Sequence, residues 1–301
     1  MTTANSSAIG SRTPLGENPF QHLITACNDD PLQIQRRYEQ QRADRNALKR
    51  AEMLSPDFRG MNVDEMLAKL EFEPGFTDWR HCLTFWARPP TALKALIHEI
   101  QEKLVAVVPN LWIMEPSRLH MTTMEVAHSL SKEEMEAVVR TIEPSVAQIT
   151  DYTFEHRARL VRPLVNYDSQ GLALQFVPAA GLDDDWYTYL HLRRDVWDQV
   201  QAAGVTVGSR YIAPSAHLTI ARFITTKDFE TDEGKVDHGK VRKLAETIDG
   251  INEWLQREHW PKENGSKDGG EWVVGTEKGL EFRKGTLWYG GGESVHIGKG
   301  F

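Results

Sequence analysis

Two short stretches hold the side chains best suited to chemistry: "LHMTT", with His120 and Thr122, and "AHLTI", with His217 and Thr219. In each, one apolar residue precedes the histidine and another separates it from the threonine. On a β-strand this spacing puts imidazole and hydroxyl on one face and the apolar residues on the other. Alternation along the first stretch turns Arg118, His120, Thr122 and Met124 one way, and Leu119, Met121 and Thr123 the other; along the second it separates His217 and Thr219 from Ala216, Leu218 and Ile220. If the strands face each other across a groove, two imidazoles with ordinary pKa values of roughly 6.5 can serve as one neutral base and one protonated acid near neutral pH. In-line displacement at phosphorus needs such a pair, one ring taking a proton from the attacking oxygen and the other protonating the departing one. The threonine hydroxyls can hold the non-bridging phosphate oxygens, and no metal is required.

A lone H-x-T triplet is usually a half-buried strand with one hydrogen-bonded histidine. A matched pair nearly a hundred residues apart asks for a joint explanation. Other residues near the motifs invite roles of their own. Arg118 shares a face with His120 and could meet a phosphate. Arg222 follows the second motif, but strict alternation turns it away from His217, and only a bulge or the strand's end would bring it round. Tyr211 and Phe223, with Trp86 and Trp112, could stack on a base, although aromatics in short strands are more often core. His128 and His191 read as structural. A metallohydrolase built on His120, His128, His156 or His191 lacks any H-x-H or H-E-x-x-H pattern. The glycine-rich "YGGGES" follows a strand with no helix after it, so a hairpin turn is expected there rather than a phosphate loop.

Composition bounds the partners. The 301 residues are 40% hydrophobic and 26% charged, enough for a sizeable core, and the formal charge of −8 provides no protein-wide field for coating long nucleic acid. A local basic pocket for a small nucleotide or a terminal RNA phosphate remains open. Cys27 and Cys82 are too few for a disulfide scaffold, so free thiols in a reducing compartment are expected, the cytoplasm first and the nucleus second. No apolar run is long enough to span a membrane, and residues 1–20 read as a disordered tail. No cofactor is expected, and a monomer is the default.

The elements that must position these residues follow from periodicity. "DPLQIQRRYEQQRADRNALKRAEML" reads as a long helix opened by Asp30 and Pro31, its bases outnumbering its acids; it is either a basic arm toward a phosphate or, as expected here, a solvated helix packed on the body. "NVDEMLAKLE" reads as a short helix capped by Asn62. Residues 21–78 thus form a helical N-terminal extension, and residues 79–301 the main domain. There "HCLTFWAR" is a strand, "TALKALIHEIQEKLVAVV" a helix, and "SKEEMEAVVRTIEPSVAQI" a helix with a Ser131/Glu134 capping box. "TFEHRARLV" and "LALQFVP" read as strands around the turn "NYDSQG", and "WYTYLHLRRDVWDQVQAA" as a helix introduced by acidic residues 183–185. After the second motif come a helix over 235–258, a loop "PKENGSKDGG", and three short strands, "EWVVG", "GLEFRK" and "TLWYGGG". Helices and strands interleave without a regular βαβ rhythm, which favours α+β with antiparallel sheets.

At "LHMTT" and "AHLTI" the sequence resembles the two-histidine (2H) phosphoesterase superfamily, and "LTFWARPPTALKAL" looks like that family's first strand, proline turn and helix. The tract from "DDPLQIQRRYEQQR" through "PGFTDWRHCLTFWARPP" to "HMTTMEVAHS" is similar to fungal proteins labelled RNA ligase or cyclic nucleotide phosphodiesterase. The resemblance implies a two-lobed α+β fold, with two antiparallel sheets lining a central groove and helices outside. It implies His120 and His217 as acid and base in either order, Thr122 and Thr219 beside them, and Arg222 as a phosphate contact. The expected activity is metal-independent hydrolysis of a 2′,3′-cyclic phosphate on a nucleotide or RNA end. Its alternatives are a nucleotide-binding or RNA-end-binding module with weak turnover, or the same chemistry on 2′-5′ linkages, RNA 3′ ends or a non-nucleotide phosphodiester.

Overall fold

Capping residues and prolines punctuate the chain where the sequence places them. In the computed structural model, which describes residues 17–167, 170–262 and 267–301, the elements run in order. They are α1 (Pro19–Ala26), α2 (Pro31–Leu54), α3 (Glu65–Phe72), β1 (His81–Ala87), α4 (Thr91–Val105), β2 (Leu111–Ile113), β3 (Met121–Leu130), α5 (Lys132–Asp151), β4 (Arg159–Tyr167), β5 (Gly171–Pro178), α6 (Tyr189–Ala202), β6 (Ala216–Phe223), α7 (His238–Glu258), β7 (Trp272–Val273), β8 (Lys278–Gly285) and β9 (Glu293–Lys299). Asp30 caps α2 through the Leu32 amide with Pro31 in the first turn, and Ser131 and Glu134 close the capping box of α5. No described helix is long and apolar enough to cross a membrane.

The strands of the described residues form one antiparallel sheet of nine, in the order β7-β4-β5-β6-β3-β1-β8-β9, with β2 also on β6. The α+β class agrees with expectation, but the two separate sheets do not appear. They are two halves of one sheet, joined where β3 meets β6 through a single registered pair, Met121 opposite Leu218. α5 covers β1, β8 and β9 of one half; α2 and α7 lie on β4 and β5 of the other; α6 packs on β3 at the seam.

Several local readings need correction. Asp64, not Asn62, caps α3 through the Leu67 amide. Pro19 and Phe20, placed by sequence in the tail, open α1, and Phe20 is fully buried. Residues 153–158 are a 3-10 turn and loop before β4, not strand. "TLWYGGG" is the turn between β8 and β9, and the last strand is instead "ESVHIGK". The remainder of the expected tail and parts of the turns "NYDSQG" and "PKENGSKDGG" lie outside the described residues.

α2 is less solvated than its charge suggests. Ile34, Tyr38 and Met53 belong to the same apolar core as the sheet. Two of its polar side chains are also buried: Gln35 donates to the Pro178 carbonyl at 2.8 Å, and Arg42 to the carbonyls of Arg162 and Gln175 at 2.6 and 3.0 Å. These bonds reach carbonyls of β4 and β5, at positions where an unpaired buried group would cost about 1–3 kcal/mol.

Candidate active site

The seam between the half-sheets places the two motifs together. Met121 and Leu218 are opposed and buried, so the residues on either side of them point the other way. Stepping one residue along an antiparallel register sets His120 beside Thr219 and Thr122 beside His217. All four are half-buried and line one cavity, floored by Cys82, Thr84 and Leu287. Cys27 and Cys82 are both buried free thiols, and the Thr84 hydroxyl is buried in that floor with no hydrogen-bond partner.

Each motif is followed by the same irregularity. β1 pairs Phe85 with Met124 but Trp86 with Thr122, leaving Thr123 as an extra residue in β3. β5 pairs Leu172 with Ala221 but Ala173 with Thr219, leaving Ile220 extra in β6. A bulge reverses the alternation beyond it. Met124 therefore turns into the core, against expectation, and the residue five positions after each histidine returns to the cavity: Glu125 in one strand, Arg222 in the other. Both bulge carbonyls are held by a buried helix side chain. Arg193 of α6 donates to Thr123 O at 3.1 Å, and Gln101 of α4 donates to Ile220 O at 2.9 Å. Gly171, opposite Arg222, lets β5 approach this second bulge, since a Cβ there would lie 2.2 Å from the Ala221 carbonyl oxygen.

The two imidazoles sit in different surroundings. His120 precedes β3 rather than lying within it, and its ring stacks on Trp86 with centroids 3.7 Å apart. Its Nδ1 is 2.7 Å from the Arg118 carbonyl, and because a carbonyl only accepts, Nδ1 carries the proton and Nε2 presents a lone pair. Burial against Trp86 pushes the His120 pKa down to about 3. The Arg118 carbonyl opposes that shift, while the nearby charges of Arg88, Arg283 and His217 add to it. Arg88 and Arg283 both pair with Glu281 and both approach the Trp86 ring at 4.8 Å. Burial works against the Glu281 carboxylate, yet these two guanidinium groups hold its pKa below the ordinary range. His217 sets Nδ1 2.9 Å from the Ser215 hydroxyl, with Tyr211 tilted against it at 6.3 Å between centroids.

The other candidates divide. Arg222 lines the cavity and donates to Asp64 at 3.1 Å, leaving its Nε buried and without a protein partner. Tyr211 lines the cavity at 38% exposure. Phe223 does not: one step beyond Arg222 it points into the core against Phe229, with centroids 5.6 Å apart. Arg118 contributes only its carbonyl, since its side chain pairs with Glu115 at 3.4 Å and borders a separate groove with Trp112. Trp86 is buried and stacks on His120. The metallohydrolase set does not assemble, and no three His, Cys, Asp or Glu gather among the described residues. His128 meets Ser129, His156 stacks on Tyr152, and His191 closes the Thr188 cap and reaches Asp29.

Sequence reasoning missed Glu125 and Arg210, which pair at 2.5 Å in the cavity wall, and Asp64, which accepts from Arg222 and, at 2.7 Å, from the Tyr289 hydroxyl. It also missed Trp288 and Tyr289. The signal was the glycine run beside them: Gly290, at φ +76°, lets the turn pass where a Cβ would sit 2.6 Å from Cβ of Arg118.

Fold and site together define an α+β protein with a duplicated histidine–threonine device at the seam of one antiparallel sheet. No protein-family model matches the chain, and no curated protein matches it. Among solved structures it is similar to a conserved protein of unknown function from Agrobacterium tumefaciens, at 11% identity and a TM-score of 0.49, over 83% of this chain and 98% of that one. It is also similar to Usb1 of Kluyveromyces marxianus, at 11% identity and a TM-score of 0.33, over 68% of this chain and 94% of that one. At these values neither likeness speaks to chemistry, which rests on the residues themselves.

Proposed function

We propose that the protein is a metal-independent phosphodiesterase that opens a 2′,3′-cyclic phosphate on a nucleotide or RNA end. The observation that carries the reading is the convergence of His120, Thr122, His217, Thr219 and Arg222 on one cavity. Neutral His120, with its proton fixed on Nδ1 by the Arg118 carbonyl, is the base: Nε2 takes a proton from water as the water oxygen bonds to phosphorus. His217 is the acid. Its Nδ1 proton is accepted by Ser215, and its Nε2 proton passes to the 2′- or 3′-oxygen as that P–O bond breaks, leaving a phosphomonoester. Thr122, Thr219 and the unpartnered Nε of Arg222 meet the non-bridging oxygens, whose charge grows in the transition state.

The test is hydrolysis of each nucleoside 2′,3′-cyclic phosphate in excess EDTA by the wild type, His120→Ala, His217→Ala and the double variant. Each single change should lower kcat about a thousandfold, and the double little further, because the rings act as a unit. Multiplicative losses, or full activity in either single variant, would refute the assignment.

A further inference from the structure

The histidine cavity opens past Tyr211 and His217 into a second, larger one. Thr122, Thr219, Arg210 and Arg222 line both. The far wall of the larger cavity comes from outside the two motifs: Gln41 and Arg45 on α2, Arg80 just before β1, and Gln170 ahead of β5. Its lining holds five arginines, Arg45, Arg80, Arg193, Arg210 and Arg222, against one acid, Asp64. Asp78 behind Arg80 and Glu125 behind Arg210 orient those two guanidinium groups, with Arg80 held by paired 2.8 Å contacts. Arg193 is spent on three backbone carbonyls. Arg45 stands on an exposed stretch of α2, where a substitution removes charge without opening the core.

On the basis of the function proposed above, we infer that this second cavity is an anion subsite for a further phosphate of the same substrate, with Arg45 of α2 as its specificity determinant. The geometry supplies the reason. The proposed mechanism sets the reacting phosphorus between the imidazoles, in the smaller of the two cavities, where Cys82, Thr84 and Leu287 are buried. The rest of the substrate must therefore leave by way of Tyr211, whose exposed ring suits a base face. One nucleoside further on, the chain meets guanidinium groups, whose planar forks match phosphate oxygens. A 5′-phosphate and the phosphodiester of a preceding nucleotide share that chemistry.

Two measurements test this, one of them independent of turnover. By calorimetry, adenosine 3′,5′-bisphosphate should bind the wild type at least about tenfold tighter than adenosine 3′-monophosphate. In Arg45→Gln that ratio should fall toward one, and Arg45→Lys should keep part of it. In the hydrolysis assay, adding a 5′-phosphate to a nucleoside 2′,3′-cyclic phosphate should raise kcat/KM by a similar factor, again lost in Arg45→Gln. A dinucleotide ending in the cyclic phosphate separates the sources: gain there assigns the subsite to a phosphodiester, and gain confined to the mononucleotide assigns it to a terminal phosphate. A ratio near one in the wild type, or one unchanged in Arg45→Gln, would overturn the subsite. Loss of hydrolysis with the binding ratio intact would overturn the catalytic reading and leave the subsite standing.

Discussion

At the scale of residues, the proposed base is set by what stacks on it. A histidine whose pKa is held near 3 by burial against Trp86 stays neutral through the range in which an ordinary imidazole takes up a proton. The acid limb of kcat/KM, which reports the free enzyme, should therefore lie well below the usual value of about 6.5. Trp86→Leu, which lets water reach the ring, should move that limb toward neutrality; a limb that stays in place in this variant would show that the stacking is not what depresses the pKa. Stability follows with a definite sign. Between the folded value near 3 and the unfolded value of about 6.5, the unfolded chain binds the extra proton, so stability falls as pH drops through this window. Urea unfolding at pH 7 and pH 5 should show a larger loss for the wild type than for His120→Gln, which has nothing to titrate there. Equal losses would count against a depressed His120.

Among the elements, the paired bulges matter most. The histidine–threonine spacing of each motif is local, but the fifth residue after each histidine reaches the cavity only because β3 and β6 each carry one residue too many. Gln101 holds the carbonyl at the second bulge and that of Met114, both at 2.9 Å. Gln101→Leu should leave the Met114 carbonyl without this donor and the Ile220 carbonyl with the Met114 amide alone, lowering stability by about 1–3 kcal/mol and weakening phosphate binding through Arg222. Gly171→Ala forces a methyl toward the Ala221 carbonyl oxygen and should cost about 1–3 kcal/mol, with kcat/KM falling beyond what the stability loss explains. A Gly171→Ala protein with wild-type unfolding and kinetics would show that β5 can move without disturbing the site. The bulges also mark where strand reading by strict alternation fails, at Met124 on one side and Arg222 on the other.

In the whole molecule, the N-terminal helices are structural members of the body. Phe20 packs on Trp197 and lies 4.2 Å from the guanidinium of Arg193, the same group that holds the Thr123 bulge carbonyl and the backbone of Ala213 and Tyr211. Ile34 and Tyr38 are fully buried in the common core. Ile34→Ala should therefore cost about 2–5 kcal/mol and shift one cooperative urea transition. A separate early transition for α2 would mean that these helices are only laid on the surface. The arm also borders the proposed subsite, since Gln41 and Arg45 line the cavity beyond the histidines. Helical periodicity shows α2 clearly, but which of its polar residues turn inward depends on the sheet it lands on.

Sequence alone determined the local pieces: the helix caps at Asp30 and Ser131, the strand character of β1, β5 and β6, and the duplicated histidine–threonine spacing. These are set by neighbours within one or two turns or strand steps, and such interactions are written in consecutive residues. The tertiary structure decided the rest: that two half-sheets meet at Met121 and Leu218, that a bulge after each motif returns Glu125 and Arg222 to one cavity, that Phe223 and the Arg118 side chain leave it, and that a turn read as a strand brings in Trp288. A bulge arises from pairing with a partner strand and from a helix side chain holding its carbonyl. Both partners lie far away in the chain, so no local pattern records them.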